Sequence, residues 1–361
     1  MNQPRARDLG LDFPGKTGSH NAITDVDGVA VGFETLIDDR RNICTGVSAI
    51  VPRSNTNEPI PVLAGQSTLN GNGEMTGTHW VNDAGHFLGP ICITNTHSVG
   101  IVHHAAVQWM IERYSAKFAD DHLWAMPVVA ETYDGSLNDI NGLHVTAQHA
   151  LNALRCATGG AIAEGNVGGG TGMRCYGFKG GTGTASRRVE FEGCSYTVGS
   201  LVQANHGIRE WLTVLGVPAG KHLPEDAERT RETGSIIGII ATDAPLSPTS
   251  LKHLARRAAL GVGRGGTPGG NSSGDIFLAF STAHADALRD GADALQRFEF
   301  FNPNNIDALY LAAVESVEES VINAMVAAKD RPIIKPPGSI AKAIDHEQLR
   351  SIMRQFNRLI E

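Results

Sequence analysis

The sequence predicts a single mixed α/β domain whose sheets lie between layers of helices, and three observations carry that expectation. Apolar runs of strand length alternate with amphipathic stretches of helix length along the whole chain. Some of the strand-length runs, SIIGIIAT (235–242) above all, are apolar on both faces, so each needs a covering layer on either side. No low-complexity linker or internal repeat divides the 361 residues, although length alone admits about two domains.

Residues 1–20 read as a loosely structured arm. A hairpin-like pair follows, ITDVDGVAVGFETL (23–36) and GVSAIVPR (46–53), each alternating in strand fashion. Further strands are expected at PICITNTH (90–97), MPVVAE (126–131), YTVGSLVQA (196–204), SIIGIIAT and DIFLAFSTA (275–283). Apolar residues recur at helical spacing in 100–119, in LHVTAQHALNALRCA (143–157), in SPTSLKHLARRAAL (247–260) and most clearly in 306–330.

Composition excludes several classes of function. With 41% hydrophobic and 19% charged residues the chain is neither disordered nor a coiled coil, and 42 Gly against 6% aromatics imply tight turns and close backbone approaches. Area scaling buries roughly three quarters of the unfolded surface, so no disulfide or metal staple is required. A net charge of −8, with basic clusters such as Lys252 to Arg257 on a helix face, argues against nucleic acid as a partner. The polar opening MNQPRARDLGLDFPG and the lack of an 18-residue apolar run lead to the expectation of a cytoplasmic protein without a membrane partner. Five scattered Cys (44, 92, 156, 175, 194) without C-x-x-C read as reduced core thiols. No metal and no cofactor is expected.

Most motif matches fail on context. Gly261-x-Gly263-x-x-Gly266 fits a dinucleotide fingerprint but follows a helix where a strand is required, and reads as a loop. Lys179 stands one place too late for a Walker A loop. His103 and His104 are adjacent, and His144 and His149 five apart, so neither pair has helical metal-ligand spacing. Gly270-Asn271-Ser272-Ser273-Gly274 matches the nucleophile elbow of α/β-hydrolases, with Ser272 as its serine, but a strand leads out of it where a helix should. A tight turn is the plainer reading, and the elbow stays as an alternative.

The junction Gly234-Ser235 is more informative. Before it runs GKHLPEDAERTRETG (220–234), with seven charged residues in fifteen, and after it the buried strand SIIGIIAT. A solvated segment thus meets a rigid strand at a bond where Gly permits strained angles and Ser offers a hydroxyl to the preceding carbonyl. Cleavage there would give Ser235 a free α-amine, whose reference pKa near 7.7–8.0 lets it act as the serine's own base. On spacing alone a Gly-Ser at a strand start is most often just a turn, and self-cleavage needs further support.

Five phrases change that balance: ETYDGSLNDINGLHV (131–145), GNVGGGTGMRCYGFKGGTGTASR (165–187), GSLVQANHG (199–207), GSIIGIIATDAPL (234–246) and NSSGDIFLAFSTA (271–283). Together they resemble the family of DmpA and the β-peptidyl aminopeptidases. The resemblance implies a self-processing serine peptidase with an N-terminal nucleophile. It also implies a four-layer α/β/β/α sandwich and homo-oligomers of cleaved protomers. One domain, 1–361, would be inactive until cut into 1–234 and 235–361.

Carried over by position, the cleavage site is Gly234 and Ser235, and Ser235 is the nucleophile. Asn205 matches the oxyanion-hole amide, Tyr133 offers a phenolic hydroxyl to the same site, and Glu131 binds the substrate's ammonium. Ser273 and Asp275 match the Ser-x-acid pair that bonds the nucleophile's amine and hydroxyl. The family carries Glu at the second place, so Asp275 is one methylene shorter. For Glu131 and Tyr133 the plain alternatives are a solvated acid and a loop tyrosine. The Gly-rich stretch 165–185 is expected only to pack backbone closely.

The function expected is release of N-terminal residues from short peptides, amides or esters with a free amine, through an acyl-Ser235 intermediate. The alternatives are hydrolysis of a small pantetheine-like amide, or an uncleaved relative that binds a ligand or builds an assembly.

Overall fold

Strand-favouring alternation in the first third of the chain produces β1 (Ala30–Asp38) and β2 (Ile43–Val51), an antiparallel pair in the computed structural model, which describes residues 3–224, 231–232, 234–289 and 294–360. Then come β3 (Val62–Gly71), α1 (Thr78–Ala84), β4 (His86–Phe87), β5 (Ile91–Asn95), α2 (Val99–Arg113), α3 (Ser115–Asp120), β6 (Val128–Thr132) and α4 (Ala147–Arg155). The short β7 (Arg174–Cys175) and β8 (Phe178–Lys179) precede the long hairpin β9 (Gly181–Phe191) and β10 (Cys194–Asn205). β11 (Ser235–Thr242), α5 (Pro248–Arg264) and β12 (Gly274–Ser281) form a parallel crossover. Next come α6 (Ala285–Leu288) and α7 (Asp307–Val326), then β13 (Arg331–Ile334), β14 (Pro337–Ala341) and α8 (His346–Gln355).

Two sheets stack face to face. The smaller has the order β1-β2-β5-β6 and the larger β4-β3-β12-β11-β10-β9. Ile50, Ile91, Ile93 and Val128 of the first meet Leu201, Ile237, Ile239 and Leu278 of the second. The large sheet's other face carries Ile236, Ile240 and Phe277, covered by Leu251 and Leu254 of α5 and Val317 and Val321 of α7. The small sheet's outer face is covered by Val102 and Ala106 of α2 and Leu151 and Leu154 of α4. The result is helix, sheet, sheet, helix: the four-layer sandwich. β11 lies in the middle, with Ile237 and Ile239 facing one layer and Ile236 and Ile240 the other, as its two apolar faces require.

Several sequence expectations are corrected. Residues 3–20 are not a loose arm, because Ala6, Leu9, Leu11 and Phe13 are buried in the helix-side core and Arg7 pairs with Glu319 of α7 at 2.8 Å. β3 and β9 lack an apolar alternation and were not expected. Their glycines explain both the strands and the missing signal, since a Cβ at Gly65 would strike the Lys252 nitrogen of α5 and one at Gly183 the Ser320 oxygen of α7. α4 starts only at Ala147, after Leu143 takes φ +48° and the Thr146 N–H donates to His149 Nδ1 in the first turn. α5 runs on to Arg264, so Gly261 and Gly263 are helical. A Cβ at Gly261 would lie 2.7 Å from the Val314 oxygen, so glycine there lets α5 and α7 approach closely. Of the five free cysteines, Cys156 and Cys194 are exposed and are not core thiols. Among the described residues no helix is long and apolar enough to cross a membrane.

Candidate active site

The ends of three interior strands meet at one end of the large sheet. Asn205, the last residue of β10, is opposite Ser235, the first of β11, and Ser235 is in turn beside Gly274, the first of β12. Residues in one row project to the same face of a sheet, so the Asn205 and Ser235 side chains stand side by side. Gly274 adds no side chain to that row, and a Cβ there would strike the Asn72 oxygen. Ser235 and Asn205 are each 5% exposed, within reach of solvent yet largely dry.

The Asn205 amide is held at both ends. Its Oδ1 accepts the Arg174 N–H at 2.9 Å and its Nδ2 donates to the Tyr133 carbonyl at 2.9 Å. Tyr133 therefore meets Asn205 through its backbone. Its side chain is 46% exposed and folds over Gly135 in the same loop.

Ser273 and Asp275 stand one residue to either side of Gly274. Ser273 Oγ donates to Asp275 Oδ1 at 2.5 Å, and Asn70 Nδ2 donates to Oδ2 at 3.1 Å. Burial raises the Asp275 carboxyl above its ordinary value, and the charge of Glu232 adds to the rise, while the Ser273 and Asn70 hydrogen bonds pull the other way.

Glu131 ends the expected strand MPVVAE and is buried, which contradicts the solvated-acid alternative. Its Oε1 accepts the Glu74 N–H at 3.0 Å and its Oε2 accepts the Thr96 hydroxyl. Burial pushes its carboxyl up, opposed by those two donors. A Cβ at Gly73 would lie 3.0 Å from Glu131 Oε1 and 3.7 Å from Gly274 Cα, so the carboxylate and the Ser235 row flank one small gap.

The arrangement joins a hydroxyl, a fixed amide donor, an acid-hydroxyl pair and a desolvated carboxylate. Asn70 and Thr96, which hold the two acids, were not found from sequence. Asn70 sits at the end of unrecognised β3, in the Asn- and Gly-rich run 70–73, whose polarity was the available signal. Of the charged segment 220–234, residues 225–230 and 233 lie outside the described residues, and with Thr233 so do the backbone angles expected at Gly234. The described ends are not simply solvated: Leu223 is in the core and Gly234 is buried. Ser272 is exposed on its turn, between the end of α5 and β12, in the inverted order that speaks against an elbow. Among the described residues no cluster of three or more His, Cys, Asp or Glu could hold a metal ion.

Comparison with known proteins agrees with this architecture. The model of peptidase family S58 matches residues 21–334. The β-peptidyl aminopeptidase BapA of Sphingosinicella microcystinivorans is 48% identical, over 99% of this chain and 93% of the relative. BapA of Sphingosinicella xenopeptidilytica is 43% identical, over 97% and 91%. Among solved structures, the L-aminopeptidase D-Ala-esterase/amidase of Ochrobactrum anthropi, described as a new variant among the Ntn hydrolase fold, superposes with a TM-score of 0.94 at 55% identity, covering 99% of this chain and all of that one. The β-aminopeptidase of a Burkholderia species gives 0.89 at 45%, covering 98% and 99%. The sandwich, the S58 match and these relatives together place the chain in peptidase family S58, as an aminopeptidase that hydrolyses peptide bonds on an Ntn-hydrolase fold.

Proposed function

We propose that the chain is a self-processed serine aminopeptidase that acts through an acyl-Ser235 intermediate on short peptides, amides or esters bearing a free amine. The observation that carries this reading is the row Asn205, Ser235, Gly274, which puts a strand-initial serine hydroxyl next to a fixed amide, with Ser273 and Asp275 bonded to each other on either side of Gly274.

In the intact chain the Ser235 nitrogen is an amide. Attack of Oγ on the Gly234 carbonyl forms a C–O bond and a tetrahedral oxyanion. As the C–N bond breaks, the hydroxyl proton passes to nitrogen and an ester remains. Water hydrolyses that ester, leaving a Gly234 carboxylate and a Ser235 with both hydroxyl and amine. The amine then takes the Oγ proton as Ser235 attacks a substrate carbonyl, and returns it to the leaving amine. Asn205 Nδ2 supplies a donor for the oxyanion in both reactions. Glu131 pairs with the substrate's ammonium, and the Ser273–Asp275 pair orients the nucleophile's amine.

The reading supports one structural unit, 1–361, made of chains 1–234 and 235–361 and assembling as a homo-oligomer. The relatives' names bring β-peptidyl bonds, L-aminoacyl peptides and D-alanyl esters and amides within its range. Intact-mass measurement tests it directly: the purified protein should give chains of about 25 and 13 kDa, and Ser235→Ala a single inactive chain of 38.3 kDa. Efficient cutting of Ser235→Ala would end the assignment of Ser235.

A further inference from the structure

We infer that Glu232, three residues before the nucleophile, is a positioning residue for self-cleavage: it clamps the chain ahead of the Gly234–Ser235 bond onto the two loops that flank β11. This rests on the self-processing reading above. Glu232 Oε1 accepts the Gly207 N–H at 2.5 Å, and Oε2 accepts the Gly270 N–H at 3.0 Å and the Thr267 hydroxyl at 3.2 Å. Gly207 lies two residues beyond Asn205, where β10 ends, and Gly270 lies four residues before β12. One carboxylate thus bridges the loop that leaves β10 and the loop that enters β12, the strands on either side of Ser235.

Both backbone donors are glycines, and at Gly207 the backbone requires one. Gly207 has φ +78°, and a Cβ there would crowd the Tyr176 ring at 2.5 Å from Cε1. A Cβ at Gly270 would stand 2.6 Å from Glu232 Oε2. The turn that mimics a nucleophile elbow, beginning at Gly270, thereby finds a use as the seat of an acidic side chain.

The physical effect is a shortened tether. Ser235 is fixed by its rows with Asn205 and Gly274, and Glu232 by three hydrogen bonds, so only Thr233 and Gly234 span the interval. A carbonyl confined between two anchors meets its attacking hydroxyl far more often than one on a free tail. The clamp does not touch the reacting atoms. It acts through the segment it holds, so it governs the cut more strongly than the hydrolysis of added peptides.

The test is a time course of chain cutting after synthesis of wild type, Glu232→Ala and Glu232→Gln, with turnover of a short peptide measured per cut chain. Glu232→Ala should slow cutting at least about tenfold more than it lowers turnover per cut chain, and Glu232→Gln, which keeps an acceptor oxygen, should recover part of the loss. Cutting of Glu232→Ala at the wild-type rate overturns the clamp, as does an equal fall in cutting and turnover, which is the mark of a general loss of fold. A wild type that stays uncut overturns the self-processing reading instead, so the two failures are told apart by the wild-type lane.

Discussion

Asn205 is fixed by one acceptor and one donor contact, and the two can be separated. Asn205→Asp keeps an oxygen for the Arg174 N–H but turns a second oxygen toward the Tyr133 carbonyl and any oxyanion. Loss of an oxyanion donor costs about 10²–10³ in turnover, so Asn205→Ala should fall by that factor and Asn205→Asp by at least as much, read as kcat on a short peptide. Near-normal turnover in either variant would move the oxyanion hole elsewhere. Glu131 makes a second prediction. Its carboxyl is held above its ordinary value of 4.5 by burial, and only the ionised form attracts an ammonium. The acid side of the kcat/KM profile should therefore fall at a higher pH than an exposed Glu would give. Glu131→Gln should lose activity on a free-amine peptide by about tenfold or more beyond its loss on the acetylated one, since a charge-assisted hydrogen bond contributes about 1.5–3 kcal/mol. Equal losses on the two substrates would remove the ammonium role.

At the level of elements, glycine decides where helices touch strands. Gly183→Ala in β9 would drive a methyl group into the Ser320 carbonyl of α7 and should destabilise the protein by about 1–3 kcal/mol, seen as a lower denaturation midpoint. Gly263→Ala, in the last turn of α5 with open space around it, should be neutral or stabilising by up to about 1 kcal/mol. The same contrast shows what the sequence made legible. Elements that bury branched apolar side chains, such as β11, β12 and α7, announced themselves by periodicity. β3 and β9 pack through the absence of side chains and left no pattern to read, and α5 seemed to end at the glycines through which it meets α7. In the candidate site, Ser235, Asn205, Ser273 and Asp275 are singled out as candidates by local phrases. Asn70, Thr96 and Glu232 act across long sequence separations, where only the fold brings partners together.

Across the whole molecule, α7 is the hub. It is buried on nearly every side, and its Glu319 meets Arg187 at 2.7 Å, Arg7 at 2.8 Å and the Asn21 amide at 2.6 Å. Burial pushes the Glu319 carboxyl up, but Arg7, Arg187 and Asn21 outweigh it and leave it below its ordinary value. Its contribution to stability is thus present above the unfolded carboxyl pKa and lost as pH falls through the depressed native value. Arg187→Met would leave buried acid without its closest cation and should cost about 3–5 kcal/mol near neutral pH, with a smaller penalty below pH ~4, measured as denaturant midpoints at each pH.

The order of the large sheet bears on what the Gly234–Ser235 bond holds together. β11 and β12 come from the chain after that bond, yet β11 is bonded to β10 and β12 to β3, both from the chain before it. The later part is laced into the earlier one like a weft through a warp, with the N-terminal residues knotted over α7 from the outside. The peptide link at Ser235 therefore bears little of the load: severing it would create two ends but not two bodies, so the proposed cut would leave the walls around Ser235 standing.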